Sequence, residues 1–435
     1  MAETPPAELI FTRSFLIALF LSLLAWFPVQ AEEDDWGDDW TEEPTGLVWN
    51  GFVEAAYGLR VSEPTEPALS TLSELRARTE THWSRDTLEV NFKADFSHDR
   101  MAHNNEFQIR DLNLAFSLGE HIDIKAGRQV LTWGTGDLIF LNDLFPKDFV
   151  SFFAGREDEY LKAPSTAVRV TLYNKLFNTD LVWTPVFEGD EFLDGERFSF
   201  YLPGLNEIGA PQPKLNANLP QTGWGNGEWA LRLFKRLGAG EYALYGYRGY
   251  FKQPTARDSS GQPGYAPMNA WGFSLRHPAG TGLVSAEAVW NESRDDNDGR
   301  NPAIPNSKAK WFIGYERELV KNLTAAVQLY GEWVQHHKRA IRSSPFPAAE
   351  PEEKLTWWTL RLSYRARRDT LIWSLFSFVS PTARDYHLRP NLTWRINDAW
   401  SVSGGANLFG GSDETTLFGQ LQNNSNVYLR LRRYY

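Results

Sequence analysis

The residues best suited to chemistry in this chain are arginines, and they recur on alternate positions. In LRARTETHW (75–83), Arg76, Arg78, Glu80 and His82 alternate with Leu75, Ala77, Thr79, Thr81 and Trp83. In TLEVNFKADFS (87–97), Leu88, Val90, Phe92, Ala94 and Phe96 share one face, while Glu89, Lys93 and Asp95 share the other. Carried along the chain, the same period of two places on the polar side Arg76, Arg78, Lys93, Lys125, Arg169, Arg232, Arg236, Arg248, Arg276, Arg361, Arg365, Arg389, Arg395, Arg430 and Arg432. The anions expected beside them are fewer: Glu80, Glu89, Asp95, Asp111, Asp123, Glu287, Glu316 and Glu332. Arginine cannot lose its charge, and its planar fork grips carboxylate, phosphate or sulfate through two hydrogen bonds. Such a face either attracts anions or pairs with its own acids. The pattern alone leaves both readings open.

Other chemistries find little support. The chain has no cysteine, which removes disulfides, thiol catalysis, iron–sulfur ligation and zinc knuckles. No G-x-S-x-G, H-E-x-x-H or phosphate-loop motif occurs, so no catalytic residue, cofactor or metal is expected and an enzyme is not the reading. DDNDG (295–299) would place Gly299 at the sixth position of a calcium loop, but Arg294 then stands at the first. His336 and His337 sit beside Lys338 and Arg339 in a basic, solvated stretch. A net charge of −11 disfavours nucleic acid as a partner.

The elements that position the arginines are strands. Eighteen alternating segments run from about residue 47 to the C-terminus, and helical periodicity is nearly absent. Tight connections such as SRD (84–86), GAG (238–240) and RRD (367–369) take turns with long polar ones such as 187–228 and 336–354. A transmembrane antiparallel β-barrel produces that rhythm, because its strand number is even and its turns are short at one end and long at the other. The expectation is all-β, a closed barrel of about 18 strands, with 16 as the second choice. The 18 Trp, 16 Tyr and 28 Phe suit interfacial girdles, with Trp49, Trp83, Trp133, Trp290, Trp333, Trp394 and Trp400 near strand ends. Arg128 breaks the pattern. Strict alternation sets it toward lipid, at about 2–4 kcal/mol in mid-bilayer, so a bulge at Gly127 is expected to return it to the lumen.

Residues 1–31 read as a signal peptide: Arg13, an apolar run over 14–27 too short to span, then Val29-Gln30-Ala31. Residues 32–46 hold eight carboxylates and read as an acidic periplasmic tail, with the barrel over 47–435. The tail is a possible counter-ion for a patch formed by Arg76, Arg78, Arg430 and Arg432. The last strand, NVYLRLRRYY (426–435), resembles the terminal strand that the barrel-assembly machinery recognises in bacterial outer-membrane proteins. IDIKAGRQVLTWGTGDLIFLNDLFPKDF (122–149), with GRQ-x-x-x-WG followed by Asp and Pro-x-Asp, resembles a motif of porin-like barrels related to alginate-export and uncharacterised porin families.

That resemblance implies a channel in the Gram-negative outer membrane with both termini periplasmic. Lipid, lipopolysaccharide and an anionic solute are its expected partners. The lumen pathway is expected along Arg76, Arg78, Lys93, Lys125, Arg128, Arg361, Arg365, Arg389, Arg395, Arg430 and Arg432. A long third loop, 133–164, is expected to fold inward and to line a constriction with Lys147, Asp148, Arg156, Glu157, Asp158, Glu159 and Lys162. The function expected is passive passage or export of small or polymeric anionic solutes. The alternatives are a sheath around a periplasmic electron-transfer partner, and an outer-membrane adhesin or enzyme.

Overall fold

The computed structural model describes residues 47–62, 68–221 and 224–435; the expected signal peptide and acidic tail lie outside the described residues. The barrel strands are β1 (Val48–Arg60), β2 (Ser70–Arg85), β3 (Leu88–Asp99), β4 (Asn104–Leu118), β5 (Ile122–Val130) and β6 (Pro164–Leu172). They continue with β7 (Asn178–Thr184), β8 (Glu228–Leu237), β9 (Gly240–Tyr250), β10 (Pro267–Ala279), β11 (Gly282–Ser293) and β12 (Lys308–Val320). The last six are β13 (Leu323–Val334), β14 (Lys354–Ala366), β15 (Leu371–Ser380), β16 (Asp385–Arg395), β17 (Trp400–Gly411) and β18 (Asn426–Tyr434). Each pairs antiparallel with its sequence neighbours, and β18 returns to β1, from Phe52 opposite Tyr434 to Arg60 opposite Asn426. The eighteen-stranded sheet is closed. No helix among the described residues is long and apolar enough to cross a membrane.

The connections explain the register. At one end lie 86–87, 119–121, 173–177, 238–239, 280–281, 321–322, 367–370 and 396–399. Left-handed residues such as Gly238 (φ +60°) and Asp86 (φ +55°) make these turns compatible with strand twist. At the other end the connections 131–163 and 185–227 are long, although 100–103 and 381–384 are tight there too. Both ends of the barrel chain, Val48 and Tyr434, lie at the short-turn end.

Outward faces are apolar. Tyr57, Leu75, Phe96, Leu114, Leu244, Ile313, Leu429 and Leu431 are exposed. They include the facing residues Tyr57 and Leu429, as the lipid-facing side of a barrel requires. Leu88 and Phe96 are exposed as expected, and half-buried Phe92 packs edge-on against Trp49 at 6.0 Å. Trp49, Trp83, Trp290, Trp333 and Trp394 stand exposed near strand ends, and Arg433 lies over the Trp400 ring at 5.8 Å.

Three residues lie other than expected. Trp133 is not a girdle residue; it packs inside, 5.0 Å from Phe145 and 5.8 Å from Tyr245. Arg248 points outward opposite Trp229, because inward positions on β9 are taken by Tyr245 and Tyr247. The register passes through Gly127 without a shift, so no bulge forms there and Arg128 stays opposite Leu112 on the outer face. The bulge lies one strand earlier, in β4, where Lys93 faces Asp111 and Ala94 faces Ile109. That extra residue turns Arg110 into the lumen.

Because the chain has no cysteine, closure is directly testable. Ala55 and Leu431 face each other across the β1–β18 seam, within disulfide reach for paired strands. Oxidised Ala55→Cys/Leu431→Cys protein is expected to migrate as a covalent ring after heat denaturation; a linear chain would mean an open seam.

Candidate functional site

The loop 131–163 enters the barrel rather than capping it. Leu131, Ile139, Leu141, Phe145, Phe152, Phe153, Tyr160 and Leu161 are all buried. All but Tyr160 join Phe198 of the loop 185–227 and Phe418 and Leu421 of the loop 412–425 in one apolar cluster. The same cluster takes wall residues from most of the circumference, including Ala56, Val182, Met268, Phe312, Tyr330, Phe378 and Phe409. His387, fully buried, stacks on Phe409 at 4.5 Å and on Phe378 at 6.0 Å. A buried aromatic core therefore occupies part of the lumen.

Local chemistry shapes the loop. Asp148 caps the short helix α1 (Phe149–Ala154) by accepting from Ser151 N at 2.7 Å. Gly155 ends it in the left-handed region (φ +86°), and a Cβ there would collide with the Tyr428 ring of β18. The Phe153 carbonyl just before it accepts from Asn407 (2.9 Å) and Asn426 (3.1 Å). Across the lumen, Glu287 on β11 accepts from the Asn142 side chain at 2.8 Å and from Thr135.

The arginine wall then closes on the loop. Asp95 accepts from Arg78 Nε at 2.6 Å and Arg76 at 3.2 Å, with Arg76 also bound to Glu74 at 2.7 Å. Arg156 of the loop reaches Glu74 at 2.5 Å and Asp99 at 3.2 Å. Three successive loop carboxylates each meet a wall arginine: Glu157 with Arg432 (2.5 Å), Asp158 with Arg389, and Glu159 with Arg78. Arg432 also bonds Glu54 at 2.8 Å. Tyr160 sits in a cage of guanidinium groups, 4.4 Å from Arg76, 5.0 Å from Arg78 and 4.9 Å from Arg110. Arg110 also donates to the Glu159 and Lys162 carbonyls at 3.0 and 2.9 Å.

The expected lumen residues thus divide. Arg76, Arg78, Arg389, Arg430 and Arg432 are buried among acids; Glu54, Glu74 and Asp99, absent from the expected anions, face inward with them. Lys93 pairs with Glu80 at 2.9 Å, and Arg361 bridges Asp137 (2.7 Å) and Glu316 (2.5 Å). Lys125, Arg365 and Arg395 face the lumen near the short-turn end with no ion-pair partner among the described residues. Arg128 faces outward and is neutralised by Glu188 at 2.9 Å, with the Ile109 carbonyl at 2.8 Å.

Of the expected constriction residues, Arg156, Glu157, Asp158 and Glu159 meet the wall. Lys147 does not line an opening; it is buried, with Nζ held by the Phe145 carbonyl (2.7 Å) and Asp143 (3.0 Å). Asp148 serves as the helix cap, and Lys162 donates to Thr132 at 2.7 Å.

Solved structures of similar architecture complete the picture. OccAB3 of Acinetobacter baumannii aligns over 89% of this chain and 98% of its own, with 9% identity and a TM-score of 0.52. Pseudomonas aeruginosa OccK2 (OpdF), solved in complex with glucuronate, aligns over 89% and 97%, with 8% identity and a TM-score of 0.51. The fold is that of an outer-membrane porin. At this identity the likeness concerns fold alone. No protein-family model and no curated protein sequence matches the chain.

Two outcomes follow from the geometry. Asp95→Asn leaves two buried guanidinium groups without their shared carboxylate and is expected to destabilise by about 3–5 kcal/mol. Lys93→Gln, at a partly exposed pair, is expected to cost under about 1 kcal/mol. Urea unfolding in lipid vesicles reads both; equal costs would remove the assigned role of Asp95.

The second concerns pH. Asp190, in the loop 185–227, accepts from Lys147 N (2.8 Å) and Gln253 (2.7 Å), yet burial pushes its carboxyl up. An acid raised on folding contributes stability below its unfolded value, near 3.9, which is lost as pH rises through the folded value. Amide exchange over 147–149 and 189–191, corrected for intrinsic rate, is expected to be slower at acid pH, and Asp190→Asn should flatten that dependence. An unchanged profile in the variant would assign it elsewhere.

Proposed function

We propose that the protein is an outer-membrane channel for small or polymeric anionic solutes, narrowed by its own inward loop. The observation that carries the reading is the division of the lumen. A dry aromatic zone formed by three loops meets a wet zone toward the short-turn end, where Lys125, Arg276, Arg365 and Arg395 line β5, β10, β14 and β16 without ion-pair partners among the described residues. Unpaired cations at a low-dielectric wall raise the local anion concentration, whereas the seam arginines are already neutralised by Glu54, Glu74, Asp95 and the loop carboxylates. The anion preference therefore belongs to the vestibule rather than to the seam. A sheath around a protein partner is disfavoured, since the chain's own loops fill the lumen. The outer membrane is the location this reading requires, with the short-turn end periplasmic.

Planar-bilayer recording of the purified full chain tests this reading. Deleting about residues 140–158 is expected to raise single-channel conductance severalfold, and unchanged conductance would mean that the loop does not obstruct the path. Under a KCl gradient the reversal potential is expected to show anion preference, weakened in Lys125→Gln/Arg365→Gln/Arg395→Gln. A cation-selective pore, or one indifferent to those substitutions, would overturn the assignment.

A further inference from the structure

Across the lumen from the seam, a polar recess of about 210 Å³ opens between the first part of the inner loop and β10–β13. Thr135, Asp137, Arg276, Ser285, Glu316 and Gln328 line it. It coincides with GTGD (134–137), a stretch of the distinctive local sequence to which the channel reading gave no role. At roughly 30 Å³ of liquid volume per water, the space suits a small solute with its hydration rather than a trapped water.

Its walls are built rather than accidental. The side-chain amide of Gln328, buried on β13, lies 3.1 Å from both the carbonyl oxygen and the backbone nitrogen of Asp137; with its amide nitrogen toward the carbonyl it satisfies both. Glu287 holds the neighbouring Thr135 and Asn142, so its oxygens are committed to the loop. The Asp137 side chain is fixed from the other side by Arg361 Nε on its Oδ2 at 2.7 Å, and Arg361 also donates to Glu316 Oε2 at 2.5 Å. That arrangement uses one oxygen of each carboxylate. Oδ1 of Asp137 and Oε1 of Glu316 have no hydrogen-bond donor among the described residues, and both side chains are about one-third exposed. Opposite them Arg276 is exposed and has no ion-pair partner among the described residues. The register sets Arg276 beside Ser285, with Glu316 on the next strand beyond. Strand spacing of about 4.8 Å then leaves room for a small molecule between guanidinium and carboxylates.

The formal charges of Asp137, Glu316, Arg361 and Arg276 sum to zero, but they are separated: acceptors at one end, a cation at the other. A simple anion would meet two carboxylates; a simple cation would meet Arg276. We infer that this recess binds a small zwitterion of the amino-acid type, its carboxylate on Arg276 and its ammonium group between Asp137 and Glu316. The site shares Arg276 with the vestibule cations but not Lys125, Arg365 or Arg395, and it requires the channel reading only for solute access.

Binding is read on the purified full chain in detergent, by saturation-transfer NMR, so it does not depend on conductance. The probes are L-alanine, L-lactate, which replaces the ammonium by a hydroxyl, and ethylamine, which lacks the carboxylate. L-alanine is expected to bind, with each of the other two weakened at least about tenfold. Arg276→Gln, at an exposed position, should abolish the L-alanine signal, while Arg395→Gln leaves it intact. Equal binding of lactate would make the recess an anion site, equal binding of ethylamine a cation site. No L-alanine binding, or binding indifferent to Arg276→Gln, would also overturn the inference. A positive result with a non-conducting protein would retain the site and refute the channel.

Discussion

A closed sheet of eighteen strands encloses more space than its own inward side chains can fill. That excess volume must hold either water or chain. Here it holds both, and the division governs every other feature. Where the loops 131–163, 185–227 and 412–425 enter, water is excluded and the lumen behaves like a protein core, with Phe153, Phe378 and Phe409 all in ring contact with His387. Where they stop, charged side chains face solvent. A charge on the boundary is stable only if paired, which is why the seam arginines and the loop acids are found together.

The pairing also explains why the loop has one path. Arg156 enters the carboxylate group of Glu74 and Asp99, and Glu157, Asp158 and Glu159 leave along Arg432, Arg389 and Arg78. Shifting the loop by one residue would set Arg156 against Arg432. Like charges in a poorly solvated site repel strongly, so the change of sign between Arg156 and Glu157 acts as a register device. The aromatic core supplies area, and the ions select among the ways of burying it.

Much of the barrel was legible in the sequence because a strand with one face toward lipid and one toward water must alternate. Leu75, Phe96 and Leu429 declare one face; Arg76, Asp95 and Arg430 declare the other. Errors arose where a residue's surroundings were not set by its own strand. Arg110 is turned inward by a bulge that no glycine or proline marks, whereas Gly127, which looked like a bulge, serves only to let β4 and β5 approach. Arg248 faces outward because the buried Tyr245 and Tyr247 take the inward positions of its strand. The interior core was invisible for a related reason: phenylalanines in FLNDLFPKDFVSFF carry no strand period, and nothing local tells a loop whether it will find lipid, water or another loop. Glu54, Glu74 and Asp99 were omitted from the inward acids, and that omission made the seam look like a free anion site.

Buried ion pairs hold the loop 131–163 inside the barrel, and Glu74 with Arg156 is the most enclosed pair between loop and wall, at 1% and 13% side-chain exposure. A double-mutant cycle with Glu74→Gln and Arg156→Gln, read by urea unfolding of the full chain in lipid vesicles, measures that contact directly. The expected coupling energy is about 1–3 kcal/mol. Additive effects, with no coupling between the two positions, would contradict it.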